Sequence, residues 1–333
     1  RCLDCHKDGE MRKNVQGGNK MNRKFKRGLA IVLALAMVFA MTATAFAATG
    51  NGYSVVGTAT TYTQPIHVKV VLDTKKDSSS GNAISEVYNV QLGSVGMSAR
   101  SFSVCDAMVA LDAMMPADFV IYADAEGNEL TNDSTYLYGI SNGEDVYFPT
   151  LPFAGYELDG FSFRVNGKIP LSSLTGDPTS GGPYGTTIKT TPIKDGDIIH
   201  FYWNYPYNRT STELYSADFL SVNPTYSVAS NGTLNLQLQK SYDYFNNSFY
   251  WNISDFVNYS GATSGTYDVK IYDATGSIVK TATMPKSGSG NISNCSLSRG
   301  TYYVRVNSNS YKLVDGTEWN VDTTMAFEKF VVQ

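Results

Sequence analysis

Apolar and polar residues alternate along most of this chain, and helical spacing is rare. Ile66-His67-Val68-Lys69-Val70-Val71-Leu72 has a period of two and predicts a strand. Glu86-Val87-Tyr88-Asn89-Val90-Gln91-Leu92 predicts a second. The polar run Lys75–Asn82 between them reads as a turn region. One helix stands out. Val104, Ala107, Met108, Leu111 and Met115 share a face, Ser103 is placed to cap its start with Asp106, and Pro116 stops it. Strands are expected again at 119–123 and 136–148. Farther on, Thr233–Gln239, Thr266–Tyr272, Ser277–Ala282, Gly300–Val306 and Ala326–Val332 alternate at regular intervals, with Asp273-Ala274-Thr275-Gly276 as a hairpin turn. Short, evenly spaced strands without a helical pattern predict a β-sandwich. The expected fold class is mainly β: an α+β first domain at 52–206, a polar linker at 207–225, and an all-β sandwich at 226–333.

The N-terminal segment changes how the rest is read. Met21 is followed by the basic stretch Asn22–Arg27, the uncharged apolar run Leu29–Met41 and an Ala45-Phe46-Ala47 site. This is the order of a secretory signal peptide, 21–47, with a mature chain from about Ala48. The apolar run is short for a membrane span, which needs about 20 residues. Residues 1–20 read as translated leader sequence. Their Cys2-Leu3-Asp4-Cys5-His6 matches the spacing for covalent haem attachment. It precedes the signal and would be lost on cleavage, so no cofactor is expected.

Cleavage also shifts the charge. The whole chain has 26 Lys/Arg and 30 Asp/Glu. Residues 48–333 keep 17 and 27 of these, a net charge of −10. That balance argues against nucleic acid and anionic lipid as partners. No stable membrane insertion is expected after cleavage. Two cysteines remain, Cys105 and Cys295, and read as buried free thiols. All 23 tyrosines lie in this part, which suits extracellular β-rich modules.

Two stretches of the first domain carry a resemblance. Gly160-Phe161-Ser162-Phe163-Arg164-Val165-Asn166-Gly167 ends a strand in a tight-turn dipeptide. Lys194-Asp195-Gly196-Asp197 turns into the apolar-aromatic strand Ile198–Trp203. With the β-β-α start and the Val104-Cys105-Asp106-Ala107-Met108 run, the domain resembles a bacterial family of unknown function related to the C-terminal β-domain of transcobalamin and intrinsic factor. The resemblance implies a β-grasp-like fold. It carries over no ligand contacts, and Leu171–Thr191 is a longer connection than the family uses. The phrase Leu297–Val306, with its Gly-Thr-Tyr-Tyr-Val-Arg-Val strand, resembles bacterial extracellular Ig-like and prepeptidase C-terminal-type modules.

Candidate chemistry is sparse. His67 and His200 each fall within a predicted strand, without metal-ligand spacing. There is no nucleophile elbow and no phosphate loop. The Asp124–Glu129 run misses calcium-loop spacing and reads as a solvated turn. Two aromatic clusters are the candidate ligand-binding positions: Trp203, Tyr205 and Tyr207, and Tyr250 with Trp251. Exposed rings there would stack on a sugar or a corrin-like face; alternate rings would otherwise fill the cores. The sequence therefore predicts a secreted, noncatalytic binding or adhesion protein. Its extracellular ligand is a glycan, a protein or a small molecule. The alternatives are a corrinoid-like ligand and a hydrolase with an unrecognised carboxylate pair.

Overall fold

The computed structural model describes residues 51–75, 79, 83–143, 146–147, 152–153, 156–157, 160–173, 184–204, 214–215, 218–228, 231–245, 251–308, 310–314, 317–320 and 322–333. The expected leader and signal peptide lie outside them. Residues Ala45–Gln333 belong to one compact unit.

The first module begins with β1 (Tyr53–Val55), then the hairpin β2 (Ile66–Asp73) and β3 (Ser85–Leu92). Helix α1 (Val104–Met114) follows. Its capping box is complete: Asp106 N–H donates to Ser103 Oγ at 3.3 Å, and Ser103 N–H donates to Asp106 Oδ2 at 2.8 Å. Then come β4 (Gly160–Val165), β5 (Ile169–Ser173) and β6 (Ile198–Asn204). The main sheet runs β4-β6-β2-β3, with β6 parallel to β2 and the other pairs antiparallel. A hairpin, a covering helix and a parallel central pair are the β-grasp order. β1 pairs with β5, outside this sheet.

Alternation sets what each face carries. Ile66, Val68, Val70 and Leu72 of β2, with Ile199 and Phe201 of β6, pack against Val104, Met108 and Leu111 of the helix. The other face holds Lys69, Val71 and Asp73, Ile198, His200 and Tyr202, and all six are buried.

The second module covers that face. It contains β7 (Phe219–Ser227), β8 (Thr233–Ser241), β9 (Thr266–Asp273), β10 (Ile278–Pro285), β11 (Ser289–Ser293), β12 (Gly300–Asn307) and β13 (Met325–Val332). One sheet is built on β8, which pairs with β7, β11 and the short strand Val257–Asn258. The other runs β10-β9-β12-β13. Leu220, Val222, Leu234, Leu236, Val269, Ile271, Val304 and Val306 fill the space between them. Among the described residues the architecture is mainly β with a single short helix, as the periodicity predicts. One boundary differs: residues 219–225, expected as linker, are the first part of β7. Phe219, Leu220 and Val222 are buried, and Pro224 is tolerated because β7 pairs on one side only.

Candidate functional site

Among the described residues, polar side chains gather in three arrangements, the first at the turn motifs. Asn166 and Gly167 both have positive φ, 51° and 75°, as a two-residue hairpin turn requires. Asn166 Nδ2 donates to Asp197 Oδ1 at 2.8 Å, and Ile198 N–H donates to Asn166 Oδ1 at 3.0 Å. Lys194 N–H donates to Asp197 Oδ2 at 2.7 Å, and His67 N–H donates to Asp195 Oδ1 at 2.8 Å. The motif residues thus lock three strand ends together. A cleft of about 370 Å³ lies beside them, lined by residues 54–58, Lys168 and Lys194. Both Asp197 oxygens are already engaged, so the motif acts as a clasp.

The seam between the modules is the second arrangement. Arg164 of β4 is fully buried. Its Nη1 donates to Gly52 O (3.1 Å), Gly167 O (3.3 Å) and Ser241 Oγ (3.2 Å), and its Nε donates to Tyr202 Oη (3.4 Å). The guanidinium lies 4.5 Å from the centroid of Phe219. Asp73 accepts from Thr324 N–H at 2.6 Å, from Thr324 Oγ1 and from Met325 N–H at 3.3 Å. Burial raises Asp73 to about 6 despite these bonds. His200, 1% exposed, has Nε2 4.0 Å from Asp73 Oδ2. Burial first, then the charges of Arg164 and Arg305, push it down to about 3, so it is neutral. Deeper in the sandwich, burial raises Glu328 to about 8; it accepts from Ser221 Oγ at 2.7 Å. A carboxylate pair does come together. Asp218 and Asp322 bridge in parallel; Lys240 Nζ is 2.6 Å from Asp218, and Tyr259 Oη donates to Asp322 at 3.2 Å. Both are buried and hydrogen-bonded.

The third arrangement is open. A cleft of about 660 Å³ runs between the modules. The first module contributes Lys75, Glu86 and Tyr88; the second contributes Tyr267, Lys286 and Arg305. Lys286 Nζ sits 5.5 Å from the Tyr267 ring centroid. Pockets of about 300–1,000 Å³ at module boundaries are typical of small-ligand sites.

The sequence-derived positions fare unevenly. Trp203 is 2% exposed, with its ring edge-on to Phe161 at 5.0 Å. A ring so enclosed offers no face to a ligand. Tyr205, Tyr207 and Tyr250 lie outside the described residues, as does the side chain of Trp251. His67 is exposed and His200 buried, so the two do not form a site. The Asp124 turn closes on itself, with Asn128 N–H and Nδ2 donating to its carboxylate. Cys105 and Cys295 are buried free thiols. Burial, then Asp106, pushes Cys105 up to about 11. Among the described residues, no group of three or more His, Cys, Asp or Glu is placed to hold a metal, and no helix is long and apolar enough to cross a membrane. Sequence reasoning missed the cleft residues because they come from distant strands and share no local motif.

Residues 246–316 are similar to the secretion system C-terminal sorting domain. No curated protein and no solved structure matches the chain. The matched stretch contains β9 to β12, but not β7, β8 or β13. Three of the seven numbered sandwich strands therefore come from outside the match. The chain is a secreted or cell-surface-associated protein with a C-terminal β-sandwich module. Among its described residues no catalytic or metal centre is evident. The match does not reach the first module, and gives the transcobalamin-like and Ig-like resemblances no further support.

Proposed function

We propose that the protein is a noncatalytic extracellular binding or adhesion module whose ligand lies in the cleft between Tyr88 and Tyr267. The observation that carries this is the cleft itself: polar, open and walled by both modules. Its polar lining and the half-buried ring of Tyr88 suit a glycan, which presents both polar edges and flat faces. The test is a glycan array with residues 48–333, alongside Lys286→Ala and Tyr88→Ser. Binding that both substitutions weaken about tenfold is expected. A blank array together with no binding to host or bacterial surfaces would reject the reading.

A corrinoid-like ligand is the second reading, supported by the β-grasp order of the first sheet. Incubation with cobalamin followed by desalting separates it from the first, since retained red colour is expected only for a corrinoid binder.

A further inference from the structure

Arg305 is the unusual residue of the cleft. It sits on β12, a strand paired on both sides, and its side chain is 9% exposed. Two of its nitrogens are fixed: Nε donates to Asn307 Oδ1 at 2.7 Å, and Nη2 donates to Ser85 O at 2.7 Å. The Nη1 edge rests on a long contact, 3.5 Å to Glu86 Oε2. Glu86 itself is 64% exposed on the neighbouring module. A rigid, buried guanidinium therefore meets a carboxylate that reaches it from solvent. The surrounding charge is also inverted. Among the described residues the cleft is lined by three cations, Lys75, Lys286 and Arg305, against Glu86 and Asp268, whereas residues 48–333 carry 17 Lys/Arg against 27 Asp/Glu. A positive recess on an acidic protein concentrates anions.

We propose that the cleft binds a saccharide bearing a carboxylate, a uronic acid, with Arg305 Nη1 as its recognising donor and Glu86 as the group it displaces. This rests on the reading of the cleft as the ligand site and names the ligand's class. Charge-assisted bonds from a preorganised guanidinium are the stronger kind, and Arg fits a planar carboxylate better than Lys does. Thr266, which is exposed, supplies a hydroxyl for the ring hydroxyls of a sugar, and the half-buried Tyr88 supplies a ring. An acidic peptide fits less well, because the lining offers little more than Ala83 and Ile84 to anchor an apolar side chain.

Titration calorimetry on residues 48–333 tests this with trigalacturonate, trimannuronate and a glucuronate oligosaccharide, each against its neutral counterpart. At least one acidic oligomer is expected to bind about tenfold tighter than its counterpart at low salt, and to lose that margin at high salt. Arg305→Lys is expected to remove most of the margin between acidic and neutral oligomers. Glu86→Gln, at an exposed position, is expected to tighten acidic binding about threefold by removing the competing carboxylate. Equal binding of acidic and neutral oligomers would overturn the proposal and leave the cleft as a sugar site. So would an acid preference that Arg305→Lys leaves unchanged, or weaker acidic binding by Glu86→Gln. Absence of binding by every oligomer would overturn the proposal too, whereas the cleft reading falls only with a blank glycan array and no surface binding.

Discussion

The two faces of the first module's sheet obey the same alternation but are buried in different ways. The helix-side face is apolar throughout: Val68, Val70, Leu72, Ile199 and Phe201 meet α1. The face against the sandwich carries Asp73, His200, Arg164 and Tyr202, interleaved with Val71 and Ile198. Dry packing holds one side; a hydrogen-bonded polar seam holds the other. Apolar packing tolerates any partner of suitable shape. A seam of buried polar groups favours arrangements that pair them: Asp73 and the Nε and Nη1 of Arg164 are hydrogen-bonded within it, whereas both His200 nitrogens and Arg164 Nη2 are not.

The largest effect that separates the faces is expected at Arg164. Arg164→Ala leaves Gly52 O, Gly167 O and Ser241 Oγ without their donor. A loss of about 3–5 kcal/mol is expected, read by urea unfolding. Leu72→Ala on the apolar face should cost about 3 kcal/mol, and that cost should not vary with pH. If the two variants show the same pH profile as each other, the distinction between the faces fails.

The seam and the sandwich interior should also make stability pH-dependent, in both directions. Glu328 and Asp322 are raised by burial, to about 8 and about 7. The folded protein keeps those protons where the unfolded chain has lost them. Their contribution is complete below the ordinary carboxylate range and is lost as pH rises through about 7 to 8. His200 acts oppositely. Its contribution is present above 6.5 and lost as pH falls towards about 3. Glu328→Gln keeps a side chain able to bond Ser221 and should stabilise the protein at the alkaline end by on the order of 1–2 kcal/mol. Thermal unfolding across pH reads this out; an unchanged alkaline slope would contradict it. The smallest effect is expected at Ile278 on strand β10, which is 51% exposed. Ile278→Thr should stay within about 0.5 kcal/mol of the parent.

These contrasts also mark what the sequence could convey. The β2–β3 hairpin, the Ser103 capping box and the Asn166-Gly167 and Asp195-Gly196 turns depend on local residues, and they formed where periodicity and turn chemistry put them. Burial of the second face did not announce itself. Lys69, Asp73, His200 and Arg164 occupy the polar positions of alternating strands, where solvent is the ordinary neighbour. Their partners, Phe219, Ser241 and Thr324, lie far along the chain. Strand β7 was hidden for another reason: Asn223-Pro224-Thr225 reads as linker, and an edge position makes that proline harmless. Trp203 illustrates the converse. An aromatic-polar alternation suggests an exposed stacking platform, and the ring instead packs on Phe161.

Joined through the polar seam, the two modules should unfold as one cooperative unit. Scanning calorimetry of residues 48–333 at fixed pH tests it most directly. A single transition, with calorimetric and van't Hoff enthalpies equal, is the predicted result. Two resolved transitions, one for each module, would contradict it.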